Sequence, residues 1–174
     1  MTSELSLFGG ALIEKQAVNE ILKCNNMTAK FGLVLTEAQA LALVETRSLA
    51  LRENGRIEFG GGVINKIISA FCSSPYLSMH NYEETLHELL EIFYYYKNET
   101  LDLVSDDDLV KYMKKAFDGS CYGSLELLAG RELYRFARRV RYGHDPFSNE
   151  VGEAGVSEAD EAEAEDEEDE YESY

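Results

Sequence analysis

No stretch of this sequence is both long and apolar enough to span a bilayer, and its start, Met-Thr-Ser-Glu-Leu-Ser, has neither the basic residues nor the apolar run of a secretory leader. Cysteine is sparse. Cys24, Cys72 and Cys121 are an odd number with no Cys-x-x-Cys spacing, which argues against a disulfide framework and against a zinc knuckle. Their flanks share nothing, so they mark no repeat. A soluble protein of a reducing, cytoplasmic setting is expected, with no membrane contact. Histidine is equally sparse: His80, His87 and His144 join no His–Glu or Cys–His constellation that could be assembled from spacing. No segment shows sustained strand alternation bounded by hairpin turns, which leaves helices as the building material.

What is abundant is negative charge, and it is unevenly placed. Of the 33 acidic residues, 13 lie between Glu150 and Tyr174, where there is no Lys or Arg. Removing those 13 leaves 20 acids against 16 bases, a net of −4 over residues 1–149. The chain therefore divides into a mildly acidic helical domain, 1–149, and an acidic tail, 150–174, too charged and too poor in apolar groups to bury a core and so expected to be disordered. A body of this size can bury a substantial core without disulfides or metal.

Helical periodicity predicts six helices, give or take one. The first covers about Ala11 to Asn25, with Ile13, Ala17, Ile21 and Cys24 on one stripe. Thr36-Glu37-Ala38-Gln39 reads as a capping box that opens a helix to Asn54, its broad buried face set by Leu41, Val44, Ser48 and Leu51 with Ala40, Leu43 and Ala50 beside them. Gly55 is the expected left-handed stop. Val63, Ile64, Ile67, Ile68 and Phe71 mark a third helix, closed at Ser73-Ser74-Pro75. The strongest pattern follows: Asn81 as cap, then Tyr82, Leu86, Leu89, Phe93 and Tyr96 to about Asn98. Its end, Phe93-Tyr94-Tyr95-Tyr96-Lys97, points rings all around the axis, so at least one must reach a surface or a partner. Ser105 caps a helix ending near Gly119, and Ser124 caps a last one to about Tyr142, which Gly130 weakens and can split or kink.

Between the second and third helices lies the least ordinary stretch, Asn54 to Lys66. Gly60-Gly61-Gly62 before a helix start could bind an anion through free amides and the helix dipole. The spacing Gly55-x-x-x-x-Gly60 superficially fits a phosphate loop, but Gly61-Gly62 stands where Lys-Ser/Thr is needed and no strand precedes it. Close helix approach or a sharp turn is the plainer use of such glycines. Arg56 and Glu58 beside them read as an ion pair or, alternatively, an interaction clamp. Glu84-x-x-His87 matches half of a helical di-metal motif; with a single copy, a solvated flank is the expectation and no metal or cofactor is assigned. Arg131, Arg135, Arg138 and Arg139, with Arg141, make the last helix basic, either as a solvated face or as a contact for nucleic acid or an acidic protein.

Phe31-Gly32-Leu33-x-Leu35-Thr36, Gly55-Arg56-Ile57-Glu58-Phe59-Gly60, Ser74-Pro75-Tyr76, Asn81-Tyr82-x-Glu84-Thr85-Leu86, Ile92-Phe93-Tyr94-Tyr95-Tyr96-Lys97-Asn98-Glu99 and Ser105-Asp106-Asp107 occur in order along the chain. Over roughly Phe31 to Arg141 it thus resembles a family of small bacterial proteins described only as a domain of unknown function, which supplies no activity or catalytic residue. No catalytic residue is assigned. The expected function is a helical interaction or regulatory module that holds a protein partner through Arg56, Glu58, Tyr94, Tyr95 and the arginine face. A nucleic-acid-associated protein gated by the acidic tail is the alternative, and a small metal-binding enzyme a third.

Overall fold

The computed structural model describes residues 2–148, and side chains from Gly9 onward. The acidic tail expected over 150–174 lies outside the described residues. The described residues are all-α, with no strand. Their helices are α1 (Thr2–Lys23), the single turn α2 (Asn25–Thr28), α3 (Glu37–Glu53), α4 (Gly62–Phe71), α5 (Tyr82–Glu99), α6 (Asp106–Asp118), the single turn α7 (Leu125–Leu127) and α8 (Leu133–Arg141). Six of these have nine residues or more, in agreement with the periodicity.

Local chemistry sets most of the boundaries. The Thr36 hydroxyl accepts the Gln39 amide at 3.2 Å while the Gln39 side chain accepts the Thr36 amide at 2.9 Å, a complete capping box. At the other end of α3, Gly55 adopts φ +62°. Its N–H reaches the Arg52 carbonyl and the Arg56 N–H reaches Leu51, closing the helix as a Schellman motif. Ser105 and Ser124 each accept an amide three residues on and cap their helices. Gly130 sits inside a π-helical stretch, Leu128–Glu132, so the last helix is split as the glycine suggested.

Three expectations are corrected. Helix α1 starts at Thr2, well before Ala11, because Gly9 and Gly10 cost only about 1 kcal/mol each and do not end a continuous hydrogen-bond ladder. Asn81 does not cap α5; its side chain instead accepts the Ser78 amide and donates to the Tyr76 carbonyl, tying the preceding turn together. The inner face of α3 departs from expectation at Leu41, which is exposed, and at Arg47, which is buried, while Ala40, Leu43, Val44 and Leu51 are buried as expected.

Helix α5 is central and packs against α3, α4, α6 and α8. Its stripe of Tyr82, Leu86, Leu89, Phe93 and Tyr96 is buried, with Phe71 and Phe117 meeting edge to face at 5.5 Å nearby. This packing leaves the Asn54–Lys66 segment at one end of the molecule, beside the loop that joins α5 to α6.

Candidate functional site

The segment from Arg56 to Phe59 has no regular secondary structure, and its side chains alternate in exposure. The polarity of that alternation is inverted. Arg56 and Glu58 turn inward, their side chains 24% and 18% exposed, while Ile57 and Phe59 turn outward at 83% and 75%.

Glu58 is the hub of an internal polar cluster. Its Oε1 accepts the Val63 N–H at 2.5 Å, and its Oε2 accepts the Tyr94 hydroxyl at 2.5 Å. Arg47, reaching in from α3, lies 3.7 Å from Glu58 and donates to the Gly60 carbonyl at 2.7 Å. From α1, Glu20 accepts the Gly61 N–H at 2.6 Å. That bond, and then one from Gln16, hold the Glu20 carboxyl below the usual range. Burial, then the bond to Glu58, push the Tyr94 hydroxyl up, so it stays neutral and is no base. Two carboxylates thus face one guanidinium and the positive end of α4, worth about +0.5 charge, which leaves the cluster slightly negative. Among the described residues the Arg47 Nε is buried without a hydrogen-bond partner.

The glycines serve this cluster. Gly60 and Gly62 have φ of +60° and +48°, and a Cβ at either would collide with the carboxylate of Glu20 or Glu58 respectively. The amides of Gly61 and Val63 at this helix start already hold the protein's own carboxylates.

Arg56 does not pair with Glu58. Its guanidinium forks onto both oxygens of Asp102 at 2.7 Å and also reaches Asn98 Oδ1 at 2.7 Å, binding the Asn54–Lys66 segment to the α5–α6 loop. The contact holds the Asp102 carboxyl below its usual range. In that loop Leu101 and Asp102 are consecutive non-glycine residues at positive φ, +55° and +58°. Left-handed backbone costs an L-residue roughly 1–2 kcal/mol. The loop is held by the Arg56 fork and by Lys97, which donates to the Val104 carbonyl and pairs with Asp106 at 2.8 Å. Leu101 and Leu103 are 63% and 68% exposed.

The other residues singled out from the sequence scatter. Tyr95 is exposed and, with Tyr94, lines a groove of about 420 Å³ between α3 and α5 that also includes Leu49, Asn54 and Asn98. Tyr96 is buried with its hydroxyl on the Ala129 carbonyl. Arg131 pairs with Glu132 and Arg141 with Glu99, while Arg138 lies over the Tyr142 ring. Arg135 and Arg139 are exposed. His87 bonds Thr46 at 2.8 Å and faces Glu83 at 3.5 Å, an arrangement that resembles a nucleophile, base and carboxylate. All three lie within helices, where backbone amides are spent on the helix ladder and cannot serve as oxyanion donors. The arrangement acts as an interhelical tie, extended by the Gln39 bond to Glu83. Among the described residues no group of three or more His, Cys, Asp or Glu is placed to hold a metal ion.

Sequence reading missed Arg47, Ile57, Phe59, Leu101 and Leu103. Arg47 had a signal: it falls on the stripe Ala40, Val44, Arg47, Leu51, where a cation demands a buried partner. Ile57 and Phe59 had one too, since an apolar residue between two residues that must be neutralised internally is forced outward.

These features define a small all-α domain whose glycine-rich turn is closed by its own carboxylates. The chain belongs to the family of unknown function DUF6323, whose model matches residues 20–146. No curated protein and no solved structure matches it.

Proposed function

We propose that this protein is a non-enzymatic interaction module whose partner surface is the outer side of the Arg56–Phe59 segment together with the α5–α6 loop. The observation that carries the reading is the inverted alternation: charge is turned in and neutralised, and Ile57 and Phe59 are presented to solvent. Arg56 bridges the two loops, which brings Leu101 and Leu103 to the same end of the molecule as Ile57 and Phe59. Single exposed apolar residues need no explanation; four of them on two loops joined by Arg56 support the reading. Bracing lowers the ordering cost of binding, and backbone strain of the kind at Leu101 and Asp102 gathers at functional sites. The groove beside Tyr95 and Asn98 continues this surface toward α3. Arg56, Glu58 and Tyr94 then act as its supports, not as its contacts.

Among the described residues no helix is long and apolar enough to cross a membrane. With three unpaired cysteines, this supports placement in a reducing cytoplasm. Nucleic-acid binding by the last helix is the weaker reading, because Arg131 and Arg141 are already committed to carboxylates. Affinity purification of the intact protein from its own cells tests the proposal. Partners retained by the native chain are expected to be lost from an Ile57→Ser/Phe59→Ser variant and kept by an Arg135→Ser/Arg138→Ser variant. The reverse pattern, or identical sets, would overturn it.

A further inference from the structure

Helices α3 and α5 lie side by side and run the same way: along their length Gln39 meets Glu83, Thr46 meets His87 and Asn54 meets Asn98. The lining of the groove of about 420 Å³ between them repeats at i, i+3, i+4 and i+7 on both helices, starting from Thr46 and from Glu91. In that register Glu91 stands level with Leu49, and Glu53 lies about one helical turn further along on the opposite wall.

This groove suits a cation on an aliphatic stem. Its lining holds no Lys, Arg or His, and among the described residues neither Glu53 nor Glu91 has a base within ion-pair distance. Because the helices are parallel, their C-terminal ends, each worth about −0.5 charge, come to the same end of the groove at Asn54 and Asn98. The walls are apolar and open: Leu49 and Tyr95 are 54% and 58% exposed, and Tyr95 stands at right angles to Tyr96 with ring centroids 5.0 Å apart. A lysine or arginine lays its methylenes on such a surface while its head keeps to carboxylates or to an aromatic face. Two other clefts have the opposite character: Lys66, Lys111 and Lys114 line the one between α4 and α6, and Lys111, Lys115 and Arg139 the one between α6 and α8. A basic segment is therefore drawn to the α3–α5 groove and turned away from those two. At longer range the chain's net charge of −17 steers a basic partner toward it.

We infer that the α3–α5 groove takes a lysine or arginine side chain from a basic segment of a partner protein, laid along Leu49 and Tyr95 with its charge toward Glu53 and Glu91. The inference rests on the interaction surface proposed above, which the groove adjoins at Asn98, the residue held by the Arg56 guanidinium at 2.7 Å. One segment can thus cover Ile57 and Phe59 with apolar side chains and reach the groove with a basic one.

Short random peptides displayed on phage and selected on the immobilised full-length chain supply the probe, and fluorescence anisotropy of the recovered peptides reads their affinity. They should carry Lys or Arg beside apolar residues. Their binding should weaken roughly tenfold in a Glu53→Gln/Glu91→Gln variant of unchanged circular dichroism. It should stay at the native level in Glu14→Gln/Glu126→Gln, which loses the same charge from exposed acids elsewhere. Recovery of no peptide, of peptides without a basic residue, or of peptides that bind Glu53→Gln/Glu91→Gln as tightly as the native chain would overturn the inference. So would equal weakening in both glutamine variants, the mark of unspecific attraction. The Ile57→Ser/Phe59→Ser variant separates the two readings. Binding lost there but kept in Glu53→Gln/Glu91→Gln removes the groove and leaves the surface; the opposite pattern sustains the groove and contradicts the surface.

Discussion

Glu58 is the residue on which the local architecture turns, since one carboxylate serves an amide of α4, a tyrosine hydroxyl of α5 and a guanidinium of α3. Removing it leaves Arg47, 3% exposed, without its counter-ion. Glu58→Ala is expected to destabilise the fold by about 3 kcal/mol, the cost of stranding one member of a mostly buried pair, as read from the denaturant midpoint. A second residue-scale consequence is pH dependence. The Glu20 and Asp102 carboxyls are lowered in the folded state, so the stability they contribute is present above their ordinary values of 4.5 and 3.8 and is lost as pH falls below them. Glu20→Gln should therefore be less stable than the native chain at pH 7, with the gap closing progressively below about pH 4.5. Denaturant titrations at the two pH values read it, and a gap unchanged by acid would contradict the assignment.

At the scale of elements, the parts legible in the sequence are those set by neighbours along the chain. The capping box at Thr36, the glycine stop at Gly55, the serine caps at Ser105 and Ser124 and the break at Gly130 all depend on residues within one turn of each other. The tyrosine helix was legible because its stripe is long and strict. What escaped depends on partners far along the chain. Asn81 is a good cap by type, yet it is drawn to Ser78 and Tyr76. Arg56 and Glu58, two residues apart, invite a mutual pair, but each finds a partner more than ten residues away, Asp102 and Arg47 respectively. The paired loops also carry a prediction. Leu101 is exposed and left-handed, so Leu101→Gly removes the backbone penalty, offset in part by glycine's entropy in the unfolded chain. A gain of about 0.5–1 kcal/mol is expected by thermal denaturation, together with weaker partner retention, the usual trade between stability and function.

At the scale of the whole molecule, two faces are set apart by chemistry. One end presents apolar side chains on braced loops and lies beside the α3–α5 groove; the cleft between α6 and α8 is lined by Lys111, Lys115 and Arg139. Residues 1–149 are only mildly acidic because 13 of the 33 acids lie in 150–174, and the glycine-rich turn holds internal carboxylates at Gly61 and Val63. On the proposed function, Ile57 and Phe59 are the residues a bound partner would cover. Hydroxyl-radical footprinting measures this directly, by comparing the isolated protein with the protein inside its own cells. Ile57 and Phe59 should be labelled strongly in isolation and protected several-fold in the cell, while exposed Tyr122 and Tyr142 change little. Equal labelling of Ile57 and Phe59 in both settings would contradict the account.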